Sequence, residues 1–232
     1  MDSAKSELQK LADPKKAKIL AGFFKTGPGQ YGEGDVFLGV TVPKSRGVAK
    51  KFSSIGFGGV KSLLGSKIHE ERLVALLILV EKFKKATPDN QKGIVDFYIS
   101  NLHGVNNWDL VDLSADKILG EYLFDKDKKL LRGFAVSENL WKRRIAIVST
   151  FAFIKKKRLE ETFAIAKMLL NDEHDLIHKA VGWMLREAGK RDEKRLEEFL
   201  KEHHAKMPRT MLRYAIERLP EAKRQLFLKG PA

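Results

Sequence analysis

Five stretches that open amphipathic helices recur at nearly constant spacing, and this constrains the fold more than any other feature. They are Arg72-Leu-Val-Ala-Leu, Asn107-Trp-Asp-Leu-Val, Arg144-Ile-Ala-Ile-Val, Lys179-Ala-Val-Gly-Trp and Arg209-Thr-Met-Leu-Arg. Their starts lie 35, 37, 35 and 30 residues apart. Between successive stretches lies a second amphipathic helix, as at residues 115–124 and 159–170. A two-helix unit of this size cannot bury its apolar face alone and does so by stacking on the next copy. The expected fold is therefore all-α, an α-solenoid of HEAT-like repeats forming a single domain over residues 1–232, most regular over 42–228.

Apolar spacing places helices at roughly 43–52, 57–65, 69–85, 89–101, 107–112, 115–125, 138–155, 159–170, 174–188, 192–203, 208–218 and 220–228. Two short helices precede them between Ser6 and Phe24, broken near Asp13-Pro14. The stretch Thr26-Gly-Pro-Gly-Gln-Tyr-Gly-Glu-Gly-Asp35 must be a loop, because glycine at this density disfavours helix and strand alike. Its literal G-x-G-x-x-G match follows no strand and contains proline, so it reads as a structured turn and not a dinucleotide site. Residues 36–42 look strand-like but have no partner, and the whole of 25–42 reads as a Gly-rich connector.

Charge narrows the partner. Lys and Arg total 44 against 30 Asp and Glu, a net charge of +14, which calls for a polyanion. Four of the five repeat starts are cationic: Arg72, Arg144, Lys179 and Arg209. Stacked repeats present equivalent positions side by side, so these residues, with Arg213 four places below Arg209, are expected to form a basic stripe along a concave cleft that seats a duplex. Lys25 and Tyr31 of the Gly-rich connector are further candidates for approaching DNA. The longest strongly apolar run, residues 73–80, is too short to span a bilayer, so no membrane partner is expected. With no cysteine, the chain holds no disulfide, thiolate ligand or thiol nucleophile. That composition fits a reducing cytoplasm, and DNA binding suggests association with the nucleoid. A monomer is expected.

Candidate chemistry falls on the same wheel positions. Trp108 and Asp112 stand one and five places after the second repeat start, Arg144 opens the third, and Trp183 stands four places into the fourth. At 100° per residue these offsets span a 140° arc. Two indoles, one carboxylate and one guanidinium on one basic surface form an unusual set. The blander readings are a Trp183 in the core, an Asp112 that caps the helix following it and a solvated Arg144. His174-Asp-Leu-Ile-His178 imitates a zinc helix, but no third ligand is evident and no metal site is expected.

Asn106-Asn-Trp-Asp-Leu-Val-Asp112, Trp141-Lys-Arg-Arg144, Lys179-Ala-Val-Gly-Trp-Met-Leu-Arg-Glu187 and the Gly-rich block with Gly39-Val-Thr-Val-Pro43 resemble the alkylpurine DNA glycosylases of the AlkD type. The likeness covers nearly the whole chain. It implies a HEAT-like fold whose concave cleft binds duplex DNA, and hydrolysis of the N-glycosidic bond of cationic N3- and N7-alkylated purines. It implies that Asp112 is the catalytic carboxylate, that Trp108 and Trp183 contact the lesion's deoxyribose, and that Arg144 holds a backbone phosphate. It also implies that the lesion is read through the backbone with the base still largely stacked. Some relatives place an N-terminal aromatic near the lesion in a different context, and Phe23, Phe24 and Tyr31 are the candidates for it here.

The chemistry is coherent on its own terms. Alkylation at N3 or N7 leaves the base positively charged, so it departs without a general acid. The sugar gains oxocarbenium character, which one carboxylate stabilises while orienting water. No cofactor is called for. The alternative function is a non-catalytic HEAT-like module that binds bent or branched DNA.

Overall fold

The computed structural model describes residues 3–229, and among them secondary structure is helical throughout. The chain folds as two compact units, Met1–Ser114 and Ala115–Ala232.

The first unit begins with α1 (Ala4–Lys10) and α2 (Pro14–Phe23). Their break falls where the sequence places it: the Asp13 carboxylate accepts from Lys16 N at 3.0 Å, and proline occupies the first turn. The connector follows, holding only an isolated parallel bridge between Val36 and Ile68. It leads into α3 (Val42–Lys51), α4 (Phe57–Leu64), α5 (His69–Lys85), α6 (Pro88–Ser100) and the five-residue α7 (Trp108–Asp112). Helix α5 is the centre of this unit. All of residues 69–80, and Phe83, are buried, and α1, α3, α4, α6 and α7 pack on it.

The second unit opens with a π-helical turn (Asp116–Gly120) running into α8 (Glu121–Leu123). Then come α9 (Lys129–Ala135), α10 (Leu140–Ser149), α11 (Phe151–Lys155), α12 (Glu160–Met168), α13 (Asp175–Gly189), α14 (Glu193–His203), α15 (Arg209–Ile216) and α16 (Glu221–Lys229). Helix α9 lies outside the helices that apolar spacing predicts. The segment expected as one helix over 138–155 is interrupted at Thr150, whose hydroxyl donates to Ile147 O at 2.7 Å.

Side-chain pairings in this unit repeat at a nearly fixed sequence offset, as helical repeats require. In one layer Arg144 meets Leu176, Phe151 meets Trp183 and Arg186 pairs with Glu217. In the other Arg132 pairs with Glu161, Arg195 with Glu160, Lys167 with Glu202 and Lys223 with Glu193. Helices at equivalent places therefore run side by side, and the fold is the expected all-α array of repeats. One pairing differs. Spacing puts residues 116–123 in the second helix of a repeat, yet Lys155 reaches Asp116 and Lys156 reaches Glu121, which sets them beside α11 in the first layer. Helix α9 takes the second-layer place.

Gly182 shows how tightly α13 and α15 are stacked. A Cβ there would lie 2.5 Å from both Met211 O and Tyr214 Cβ. Helix propensity favours alanine by about 1 kcal/mol, but backbone cannot rotate aside, and overpacking costs about 3 kcal/mol. We expect Gly182→Ala to lose about 2 kcal/mol net in denaturant unfolding, a loss that propensity alone would turn into a gain.

Candidate functional site

Helix α7 divides its residues cleanly: Asp109, Leu110 and Val111 are buried, whereas Trp108 and Asp112 are half-exposed. The four-residue spacing sets the indole and the carboxylate on one accessible face. Asn107 caps the helix, its Oδ1 accepting from Trp108 N at 2.8 Å.

Trp108 sits on an aromatic stack supplied by α2 and the connector. Phe24 lies parallel to the indole at 5.1 Å and to Phe37 at 5.0 Å, and Phe37 stacks on the His69 ring at 4.5 Å. Phe23 stands edge-on to Trp108 at 5.9 Å and remains 61% exposed. Two of the three candidate N-terminal aromatics thus reach Trp108. Tyr31 is half-buried, its hydroxyl donating to Phe23 O at 3.5 Å. Lys25 is exposed and closes the turn after α2 with φ of 56°, its carbonyl accepting from Gly32 N at 3.0 Å. That turn needs glycine at position 32, where a Cβ would lie 2.4 Å from Phe24 O.

Beneath the stack is a buried ionic cluster that joins two of the repeat starts, Arg72 and Asn107, to three residues that spacing does not single out, Asp35, His69 and Asp109. His69 is 2% exposed, with Nε2 2.8 Å from Asp109 Oδ2 and Nδ1 3.2 Å from Asp35 Oδ2. Asp35 also accepts from Arg72 at 2.6 Å and from Asn107 Nδ2 at 3.2 Å, while Arg72 NH1 donates to Ser66 O at 2.8 Å. Glu70 accepts from the backbone N–H groups of Leu38, Gly39 and Val40 at 2.8–3.1 Å, and Glu71 pairs with Lys5 at 3.3 Å. One turn, His69-Glu70-Glu71-Arg72, therefore ties α1, the connector and α7 to α5. The sequence carries a signal for it: four consecutive ionisable residues open the helix that holds the longest apolar run, and buried charges must find partners.

Arg72 is thereby corrected as a DNA contact. It is 3% exposed and its guanidinium is committed to Asp35, so reaching a phosphate would strand a buried carboxylate. Asn107 is buried too, and the repeat starts do not form one exposed stripe. In the second unit Arg144 is 5% exposed, with NH1 2.5 Å from Leu176 O in the first turn of α13. Trp183 is half-buried beside Phe151 at 5.7 Å, two turns further along α13, about 10 Å by helix rise. Lys179 pairs with Asp175 at 2.7 Å, Arg209 is exposed with NH1 3.0 Å from Leu228 O, and Arg213 is exposed. His174 caps α13 by accepting from Leu176 N, and His178 bonds the Asp172 carbonyl.

Burial opposes charge on both His69 and Asp35, but the partners outweigh it. Asp109 and Asp35 hold the His69 pKa above its ordinary value, and His69, Arg72 and Asn107 hold the Asp35 pKa below its own. A raised histidine stabilises fully below about pH 6.5 and loses that contribution as pH rises through its folded value. A lowered aspartate stabilises above about pH 3.9 and loses that contribution as pH falls through its folded value. Wild type should therefore lose stability relative to His69→Gln as pH rises from about 6.5. Parallel pH profiles of the denaturant midpoint would contradict the assignment.

Geometry and sequence together define a class: helical-repeat proteins that present an indole and a carboxylate on a short helix, in a strongly basic chain. Comparison with known families identifies which. A model of the DNA alkylation repair enzyme family matches residues 4–219, and the chain belongs to that family, so DNA is its substrate class. The fold is also similar to a solved structure described as a predicted DNA alkylation repair enzyme from Enterococcus faecalis. That likeness has a TM-score of 0.70 and 18% sequence identity, and covers 90% of this chain and 97% of the other. No curated protein matches. No helix among the described residues is long and apolar enough to cross a membrane.

Proposed function

We propose that this repair enzyme is a monofunctional DNA glycosylase, acting as a monomer, that hydrolyses the N-glycosidic bond of cationic N3- and N7-alkylated purines in duplex DNA. The observation that carries the reading is the accessible face of α7, where Trp108 and Asp112 stand one turn apart above a rigid support.

The base already bears a positive charge. It leaves with both electrons of the C1′–N bond and becomes neutral, so no acid has to protonate it. The deoxyribose carries the positive charge in the transition state. Asp112 stabilises that charge, and the indole face of Trp108 attracts it. A water adds through its oxygen to C1′ and its proton passes to the Asp112 carboxylate, which completes the hydrolysis. Phe23, exposed beside Trp108, extends the apolar surface available to sugar C–H groups. By the sequence resemblance, Arg144 holds a backbone phosphate and Trp183 contacts the deoxyribose. Lys179, Arg209, Arg213, Lys25 and Tyr31 add contacts to DNA.

The test is release of 7-methylguanine and 3-methyladenine from a methylated duplex. Free base should appear with wild type at rates well above spontaneous loss. Salt-sensitive duplex binding with no base release would replace the glycosylase with a non-catalytic DNA-binding module.

A further inference from the structure

The proposed site depends on α7 being held in one place, yet α7 has five residues, too few to hold a helix by itself. Its apolar side, Leu110 and Val111, is buried, but its polar side sets its orientation. Asp109 Oδ1 accepts from Leu110 N at 2.8 Å, leaving Oδ2 for His69. Asn107 caps Trp108 with its oxygen and reaches Asp35 with its nitrogen. His69 then closes the ring by facing Asp35 with its other nitrogen. The loop of contacts runs Asp35, His69, Asp109, the backbone of 107–109, Asn107 and back to Asp35.

A carboxylate only accepts hydrogen bonds, so an imidazole between two carboxylates needs a proton on each nitrogen. A neutral ring would turn a lone pair towards one of them. The charged groups facing His69 are Asp35 of the connector, Asp109 of α7 and, sharing Asp35, Arg72 of its own helix. Two carboxylates and two cations balance only when the ring is charged. Phe37 and Phe24 pack against the ring, and Phe24 continues directly to Trp108.

We infer that His69 is a positioning residue for the reaction: as an imidazolium it clamps Asp109 and Asp35, and through them fixes Trp108 and Asp112 where the lesion's sugar is met. This deepens the glycosylase reading and rests on it. Losing the ring proton leaves two buried carboxylates, of which only Asp35 keeps a cation, Arg72. Their repulsion is relieved by moving α7, which shifts the indole and catalytic carboxylate without unfolding the unit.

Two measurements decide it. In protein carrying Trp141→Phe and Trp183→Phe, the emission of Trp108 is followed from about pH 6 to 9. A single alkaline change is expected, and it should vanish in the same protein with His69→Gln. In the full chain, His69→Gln and Asp109→Asn should each lower kcat for 7-methylguanine release about tenfold, because small displacements of reacting groups are costly, with KM for duplex within about twofold. Ile78→Val, a core change on the same helix, serves as the control for lost stability and should leave kcat unaltered. A flat emission profile, an unchanged profile in His69→Gln, or a kcat loss that tracks only the unfolded fraction would overturn the positioning role. If wild type releases no base, the glycosylase reading fails alone, and the emission titration still decides whether His69 holds Trp108.

Discussion

Asp112→Asn should lower base release by about 100- to 1,000-fold, the usual cost of removing one preorganised electrostatic stabiliser, while duplex affinity changes less than about twofold. The substitution is close to isosteric, and Asp112 is half-exposed on α7 rather than in the core, so it removes charge and little packing. The ground-state complex does not need that charge, because the alkylated base carries the positive charge before bond cleavage. Only when the charge moves onto the sugar does the carboxylate act, so the loss falls on kcat. Trp108→Phe should have a smaller effect, about tenfold, since it keeps an aromatic face against Phe24 at 5.1 Å but offers the cation a weaker one. Single-turnover release from a methylated duplex separates these outcomes. If Asp112→Asn cleaves within about threefold of wild type, the carboxylate has no electrostatic role and the proposed chemistry falls with it.

Periodicity makes the helices of this chain readable. The sequence places a helix at 69–85, where it is observed, because a long apolar run is closed by Thr87-Pro88, and proline preorganises the next helix start. Asp13-Pro14 announces the α1–α2 break in the same way. Periodicity says less where tertiary packing reshapes the backbone. The segment expected as an ordinary helix over 115–125 contains a π turn, and a Cβ on its Gly120 would lie 2.3 Å from Ser149 O. That close approach depends on a residue 29 positions away and leaves no local trace. Helix α9 escapes because Lys128-Lys129 and Gly133 weaken its amphipathic pattern and it spans seven residues.

The candidate site divides along the same line. Trp108 and Asp112 lie four residues apart on α7 and both are half-exposed, a placement that their spacing makes readable. Spacing cannot tell which repeat starts face solvent. A charged residue at such a position reads identically whether it meets water or a buried partner, and for Arg72 the partner is Asp35, which lies in a segment with no periodicity at all. Long-range ionic pairs join residues with unrelated local patterns. The support under Trp108 is therefore hidden, whereas its accessible face is not.

Glu70→Ala should destabilise the first unit by about 3–5 kcal/mol. The carboxylate is 1% exposed, and it accepts from three successive backbone N–H groups of the connector. Burying a carboxylate costs several kcal/mol, and charge-assisted bonds of about 1.5–3 kcal/mol each offset that. Alanine leaves the three donors in a space sealed by α2, because Gly39 runs so close that a Cβ there would lie 2.2 Å from Asp13 O. Gly39 holds φ of 85°, a conformation open to glycine, so the connector has no cheap alternative path. Glu70→Gln keeps one acceptor oxygen but turns an amide N–H towards the donors, and should lose roughly half as much. The connector carries Asp35 and Phe37, so base release in Glu70→Ala should match wild type well below its midpoint and fail as the connector melts. Denaturant unfolding of the two variants orders them. A Glu70→Ala loss under about 1 kcal/mol would mean that water reaches these amides and that the carboxylate does not hold the connector in place.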